Sequence, residues 1–224
     1  MNKAAALQKL VQKRKSTNWP GYKNIGEYQG GIYECDFVSP YTKSAGNVNA
    51  DVFVLLQDWS SDQRLSGPID RDAKELGYTP KLPTNVKLAA LLSEIFGISL
   101  TDVYGTNLFP FIKTGSLSNR IPRADLIKAA NEFAIPQIEI VHPKLVICLG
   151  LNTFNSIREG CNPGQPRIKQ LAEAIASPFE YKGTRIWCQA HTGMWGQRMR
   201  EKHGGPNQVS IDWNNMNNDF QTQR

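Results

Sequence analysis

The sequence predicts an α/β fold, a three-layer sandwich with a central four-stranded, mainly parallel sheet flanked by helices. Four short apolar runs have the continuous character of strands that are buried on both faces. Stretches with helical spacing of apolar residues separate these runs. No internal repeat or linker interrupts the pattern. We therefore expect residues 1–224 to form one domain, with a helical and loop-rich extension over about residues 1–49.

Each element is assigned from its own pattern. The predicted strands are 51–56, 103–107, 144–149 and 185–189. Helices are predicted over 3–15, 86–96 and 123–141, from near residue 152, and over 167–176. Pro136 is expected to kink the third of these helices. Residues 16–49 are rich in Gly, Tyr, Asn, Pro and Ser, which indicates mostly loop with short strands.

The composition excludes several classes of protein. No apolar run approaches the roughly 20 residues that a membrane helix needs. Lysine, arginine and glutamine interrupt residues 7–15, so we expect a cytoplasmic protein without a signal peptide. The formal charge of +6 favours an anionic partner such as nucleic acid, although part of the excess lies on the N-terminal helix.

The cysteines are expected to be structural. They are widely spaced, form no C-x-x-C pair and have no histidine at ligand spacing: Cys35, Cys148, Cys161 and Cys188. Two of them lie in predicted strands, where a free thiol usually acts as a small apolar side chain. We expect no metal site and no cofactor. The first strand is not followed by G-x-G-x-x-G, which argues against a dinucleotide-binding fold, and there is no P-loop.

Polar residues stand at the ends of three predicted strands. Gln57 and Asp58 follow the first strand, Asn107 ends the second, and His191 follows the fourth. Carboxyl ends of parallel strands meet at one edge of the sheet, where ligands bind. A carboxylate, an amide and an imidazole in one crevice can orient water, read the edge of a base and donate a hydrogen bond. Taken singly, each residue also has a structural interpretation, as a helix cap, a turn residue or a loop histidine.

These strand ends resemble motifs of the uracil-DNA glycosylase superfamily. Residues 54–58, Val-Leu-Leu-Gln-Asp, look like its water-activating motif. Residues 103–108, Val-Tyr-Gly-Thr-Asn-Leu, are similar to its strand ending in the Asn that reads uracil. Residues 142–150 resemble the third strand of its iron–sulfur branch, and residues 190–193, Ala-His-Thr-Gly, stand in the place of His-Pro-Ser. The resemblance covers about residues 50–200 in the family's order.

The resemblance implies a DNA glycosylase that flips a deaminated base, with uracil preferred, out of DNA and hydrolyses its N-glycosidic bond without a cofactor. The catalytic residues would be Asp58, which orients water, and His191, which donates to the departing base. The substrate-binding residues would be Gln57, Asn107, Trp59 and Phe109. An aromatic should stack on the base, and the candidates are Trp59, Tyr78 and Phe109. DNA is the expected partner of a monomer that needs no membrane and no protein partner.

Residues 191–200 are predicted to form a loop that opens the duplex. Met194 and Trp195 would wedge into the base stack, while Arg198 and Arg200 would contact phosphates. The alternative interpretation is that Trp195 packs on the edge of the sheet.

Departures from the family's pattern keep other functions open. Trp59-Ser60 stand where the best-known branch has Pro and a thymine-blocking Tyr, and Thr192-Gly193 replace Pro-Ser. The iron–sulfur branch carries a Cys soon after its Asn strand, whereas residues 108–110 have none, so no cluster is expected. The alternatives are a nucleic-acid-binding relative with weak or no turnover, and a hydrolase or transferase of free nucleosides.

Overall fold

The structure is a computed structural model that describes residues 2–222. Its strands are β1 (Val52–Asp58), β2 (Tyr104–Phe109), β3 (Leu145–Leu149), β4 (Phe179–Tyr181) and β5 (Thr184–Gln189). Its helices are α1 (Lys3–Ser16), α2 (Asp62–Leu65), α3 (Arg71–Leu76), α4 (Pro83–Leu91), α5 (Arg123–Ala129), α6 (Ile135–Val141), α7 (Leu151–Cys161), α8 (Leu171–Ile175), α9 (Met194–Gly204) and α10 (Gln208–Thr222).

The strands form one sheet in the order β2-β1-β3-β5-β4. All neighbouring pairs are parallel except β4 and β5, which form an antiparallel hairpin. The mixed α/β prediction is therefore confirmed, whereas the number of strands is corrected from four to five. The missed strand, β4, has three residues and lies at the edge of the sheet, so it carries no apolar run that a sequence pattern could reveal.

Alternate residues of each strand pack against helices on opposite faces of the sheet. On one face, Phe53 and Leu55 join a core that includes apolar residues of α5, α6 and α7. On the other face, Val54 and Leu56 join a second core built with α4 and α10. Burial on both faces explains why β1 is a continuous apolar run. None of the helices described between residues 2 and 222 combines the length and apolar character that a bilayer crossing requires.

The predicted helix over 123–141 is divided into α5 and α6 by a π-helical turn at residues 130–134. Pro136 lies just after this turn, at the start of α6. Proline has no N–H to donate into the preceding turn, and a wider turn accommodates its ring. The predicted kink therefore takes the form of a π turn.

Three further segments differ from prediction. Residues 16–49 contain short 3₁₀ turns and isolated bridges rather than strands. The predicted loop 191–200 is helical from Met194 onward, as the start of α9. Helix α10 was not predicted, because its many asparagines are poor helix formers and conceal the inward spacing of Val209, Trp213, Met216 and Phe220.

Candidate active site

A cleft of about 740 Å³ lies at the carboxyl ends of the parallel strands. Gln57 and Asp58 are the last residues of β1, and they line the cleft together with Asn107 of β2. The loop after β5 adds His191. The chain adds β2 and β3 on opposite sides of β1, and open α/β sheets bind ligands at such a change of direction. The structure therefore brings the three predicted strand ends into one site.

Both carboxylate oxygens of Asp58 have partners. Oδ1 accepts a hydrogen bond from Gln57 Nε2 at 2.9 Å, and Oδ2 lies 2.8 Å from Lys113 Nζ. The side chains of Asp58 and Lys113 are only 12% and 6% exposed, so the ion pair is largely withdrawn from water. These two contacts orient the carboxylate within the free protein.

Lys113 is a site residue that sequence reasoning missed. It follows the apolar residues 108–112 in the loop after β2, and it also donates to the Leu117 carbonyl oxygen at 2.5 Å. The sequence contained an indication of this role. Lys113 is a single lysine directly after an apolar run, and it lies at the same edge of the sheet as Asn107. Buried lysines require a partner, and a carboxylate at that edge was available.

His191 presents one ring nitrogen as a hydrogen-bond donor. Its Nδ1 accepts from the Gly193 backbone N–H at 3.0 Å, so in the neutral ring the proton lies on Nε2. A Cβ at Gly193 would lie 2.9 Å from that Nδ1, so the close approach requires glycine. The ring faces the open cleft, yet the surrounding protein atoms desolvate it. This desolvation lowers the pKa of His191, Lys113 lowers it further, and the charge of Asp58 opposes them.

The side-chain amide of Asn107 is held from one side. Its Oδ1 accepts a hydrogen bond from the Ser39 hydroxyl at 2.5 Å. Ser39 is fully buried and Asn107 is 1% exposed, while Asn107 still lines the cleft. Ser39 comes from the segment 16–49, to which the sequence assigned no role.

The aromatic candidates separate into two groups. Trp59 and Tyr78 line the cleft, and Trp59 is held by a 2.7 Å hydrogen bond from Nε1 to the Gly77 carbonyl oxygen. Phe109 is fully buried in the core, where its ring lies 5.7 Å from that of Trp19. Phe109 does not line the cleft, and its ring also packs against those of Tyr22 and Phe111. The prediction that Phe109 binds substrate is therefore corrected.

Two exposed apolar side chains begin α9 beside the cleft. Met194 is 60% exposed and Trp195 is 76% exposed, and Trp195 lines the cleft. This exposure rules out the alternative in which Trp195 packs on the sheet edge. Met194 and Trp195 thus form a small exposed apolar surface at the mouth of the cleft.

The two arginines of α9 have different surroundings. Arg198 is exposed and has no ion-pair partner within the described part of the chain. Arg200 donates two hydrogen bonds, of 2.6 and 2.9 Å, to the Asp212 carboxylate of α10. Both side chains of this pair are almost fully buried. Arg200 therefore joins α9 to α10, and two of its donors are engaged within the protein rather than free for a phosphate.

The cysteines do not suit an iron–sulfur cluster. Cys148 of β3 and Cys188 of β5 are neighbours in the strand register, and both are fully buried. This burial raises the pKa of both thiols. Cys35 and Cys161 lie elsewhere, and all four thiols are free. Among residues 2–222, no three side chains of the ligand types converge on a point that could hold a metal ion. These thiols act as packing groups.

No protein-family model matches the sequence. Among curated proteins, the chain is similar to a type-4 uracil-DNA glycosylase from Saccharolobus solfataricus, with 40% identity over 75 residues. The aligned segment is 34% of this chain and 33% of that glycosylase, so the chain matches about a third of the relative's length. This local similarity suggests a distant relationship to the uracil-DNA glycosylase superfamily.

Proposed function

We propose that this protein is a DNA glycosylase that hydrolyses the N-glycosidic bond of a deaminated base, with uracil as the preferred base. The observation that carries the proposal is the convergence of Asp58, Asn107 and His191 in one cleft. The similarity to a type-4 uracil-DNA glycosylase supports the same reaction.

A base within a duplex cannot reach this cleft, so the nucleotide must be flipped out at a cost of a few kcal/mol. Met194 and Trp195 are exposed beside the cleft and would fill the gap that the flipped base leaves. The exposed guanidinium of Arg198 would contact a backbone phosphate. Trp59 or Tyr78 would stack on the flipped base.

Bond cleavage places positive charge on the sugar, and the bonding electrons leave with the base. Asp58 stabilises this cation and orients the water whose oxygen forms the new bond to C1′. The proton of that water passes to Asp58 and then to solvent. His191 donates its Nε2–H to the base oxygen as negative charge collects there. Asn107 holds the base by its edge with one donor and one acceptor.

A second candidate is a nucleic-acid-binding protein with weak turnover. The ion pair to Lys113 favours this candidate, because a positive charge at 2.8 Å reduces the attraction of Asp58 for a sugar cation. A free-nucleoside hydrolase is less well supported, since it would have no use for the exposed Met194 and Trp195 beside the cleft.

The test is base release from oligonucleotides that contain uracil, hypoxanthine, xanthine or thymine, single- or double-stranded, followed by alkaline cleavage of the abasic sites. Asp58→Asn should slow release by about 10²- to 10⁴-fold while DNA affinity stays within about threefold. Asp72→Asn, an exposed carboxylate on α3, is the matched control and should release the base at the wild-type rate. Tight binding without release by the wild type would favour the second candidate. Full activity of Asp58→Asn would remove Asp58 from its role.

A further inference from the structure

The segment 39–46 lies directly against β2, the strand that carries Asn107. The Thr42 hydroxyl donates to the Gly105 carbonyl oxygen at 2.7 Å, and the Gly105 N–H donates to the Ala45 carbonyl oxygen at 2.7 Å. This approach depends on glycine, because a Cβ at Gly105 would lie 2.8 Å from the Cβ of Ala45. Gly105 therefore allows a loop from outside the sheet to reach the site.

Ser39 is the first residue of this segment and the N-cap of the 3₁₀ turn Pro40–Lys43. Its Oγ accepts the Tyr41 backbone N–H at 3.3 Å, which fixes the direction of one lone pair. Its only proton is donated to Asn107 Oδ1 at 2.5 Å. Both residues are buried, so water does not compete for these bonds.

The hydrogen bond from Ser39 determines the orientation of the Asn107 side-chain amide, that is, whether Oδ1 or Nδ2 faces Ser39. With Oδ1 on the Ser39 side, the oxygen keeps a second lone pair for the base, and no bond within residues 2–222 occupies Nδ2. A rotated amide would turn Nδ2 toward Ser39 and leave the buried hydroxyl proton without its acceptor. The loss of that acceptor disfavours the rotated amide by roughly ten- to a hundredfold.

We propose that Ser39 is a specificity-determining positioning residue, which fixes the Asn107 amide to read a ring N–H beside a carbonyl oxygen. Uracil, hypoxanthine and xanthine present this edge, whereas cytosine and adenine present a ring nitrogen beside an amino group. Deamination of cytosine or adenine converts the second edge into the first. The pair therefore separates uracil from cytosine and hypoxanthine from adenine, but it does not separate xanthine from guanine or uracil from thymine, which carry the same ring N–H beside a carbonyl oxygen. This inference rests on the proposed function.

The first experiment compares base release from single-stranded oligonucleotides that contain uracil or cytosine. Ser39→Ala should slow uracil release about tenfold and reduce discrimination against cytosine by a similar factor. Ser39→Thr keeps the hydroxyl and should restore both values. Ser44→Ala, which removes a hydroxyl of the same segment that bonds the Leu76 carbonyl oxygen, is the control and should change neither value. An unchanged ratio of uracil to cytosine release in Ser39→Ala would overturn the proposal.

A double-mutant cycle separates positioning from a general structural role. If Ser39 acts through the amide, then Ser39→Ala should have no further effect on the release ratio in an Asn107→Ala background. An equal loss in both backgrounds would show that Ser39 acts by another route and would contradict the proposal.

Binding of free bases provides a readout that does not require turnover. The wild type should bind free uracil more tightly than free cytosine, and Ser39→Ala should lose about tenfold of that preference, as measured by calorimetry. A wild type that releases no base from any oligonucleotide would refute the proposed function, while this preference would still support the amide orientation. A preference that Ser39→Ala leaves intact would refute the inference even if base release is normal.

Discussion

The tautomer of His191 is determined by its own loop. The Gly193 N–H occupies Nδ1, so the proton of the neutral ring lies on Nε2. Protonation would place an N–H on Nδ1 opposite that backbone N–H and break the bond. Neutral imidazole is therefore the form compatible with the observed loop, and the lowered pKa of His191 keeps it neutral near pH 7.

We expect base release to decline as the pH falls through the pKa of His191, which lies below 6.5. The stability contribution has the same sign. A histidine with a lowered pKa takes up its proton more readily in the unfolded chain, so its contribution is complete above pH 6.5 and is lost as the pH falls toward the folded-state pKa. The rate of base release measured from pH 5 to 8, in steps of about half a pH unit, tests the first effect. Urea unfolding at the same pH values tests the second. His191→Gln should lose this pH dependence, and an unchanged profile would contradict the assignment.

The ion pair of Asp58 and Lys113 has a structural cost if it is broken. Lys113→Met would leave Asp58 buried beside no cation, and we expect a loss of about 3 kcal/mol in the free energy of unfolding. Adding Asp58→Asn should recover part of this loss, because the uncompensated charge is removed. Lys15→Met, which breaks an exposed pair with Asp36, should cost much less than Lys113→Met. Equal losses in Lys113→Met and Lys15→Met, measured by chemical denaturation, would argue against a buried pair.

At the scale of elements, α9 combines an exposed end with an anchored one. Met194 and Trp195 project into solvent at its start, whereas Arg200 fastens its later turns to Asp212 on α10. A rigid helix that carries exposed apolar groups loses less conformational entropy on binding than the flexible loop expected from sequence.

Replacing both Met194 and Trp195 with alanine should reduce the affinity for uracil-containing duplex DNA about tenfold, because stacking against bases is lost. Stability should change by less than about 0.5 kcal/mol, since both side chains are exposed. Ile211→Ala, another exposed apolar side chain but on α10, is the control and should not affect DNA affinity. If fluorescence anisotropy gave the double variant the same DNA affinity as the wild type, Met194 and Trp195 would have no part in DNA binding.

For the whole molecule, the formal charge of +6 predicts DNA binding that weakens as salt rises. The arginines of α9 should contribute unequally to this dependence. Arg198→Gln should lower the slope of log affinity against log salt by about 1 and leave stability unchanged. Arg200→Gln should instead destabilise the fold by about 3 kcal/mol, because Asp212 would lose its partner in a buried pair. If Arg200→Gln lowered the salt slope and Arg198→Gln lowered the stability, then Arg200 rather than Arg198 would contact the phosphates.

Strands and helices of ordinary length could be predicted because burial on both faces and helical spacing leave periodic patterns in the sequence. The strand ends at Gln57-Asp58, Asn107 and His191 could be predicted to converge, because parallel topology alone places them at one edge of the sheet. Elements whose contacts are irregular or few, such as β4 and the turns between residues 16 and 49, leave no such pattern.

The sequence by itself determined the α/β class and the identity of three polar groups at strand ends. Only the tertiary structure decided their partners: Lys113 beside Asp58, Ser39 behind Asn107, and Phe109 in the core rather than in the cleft. It also decided which of the two arginines of α9 is engaged with another helix. The physical reason is that periodicity encodes the burial of a residue, whereas a hydrogen bond or ion pair between distant segments depends on where the whole chain brings them.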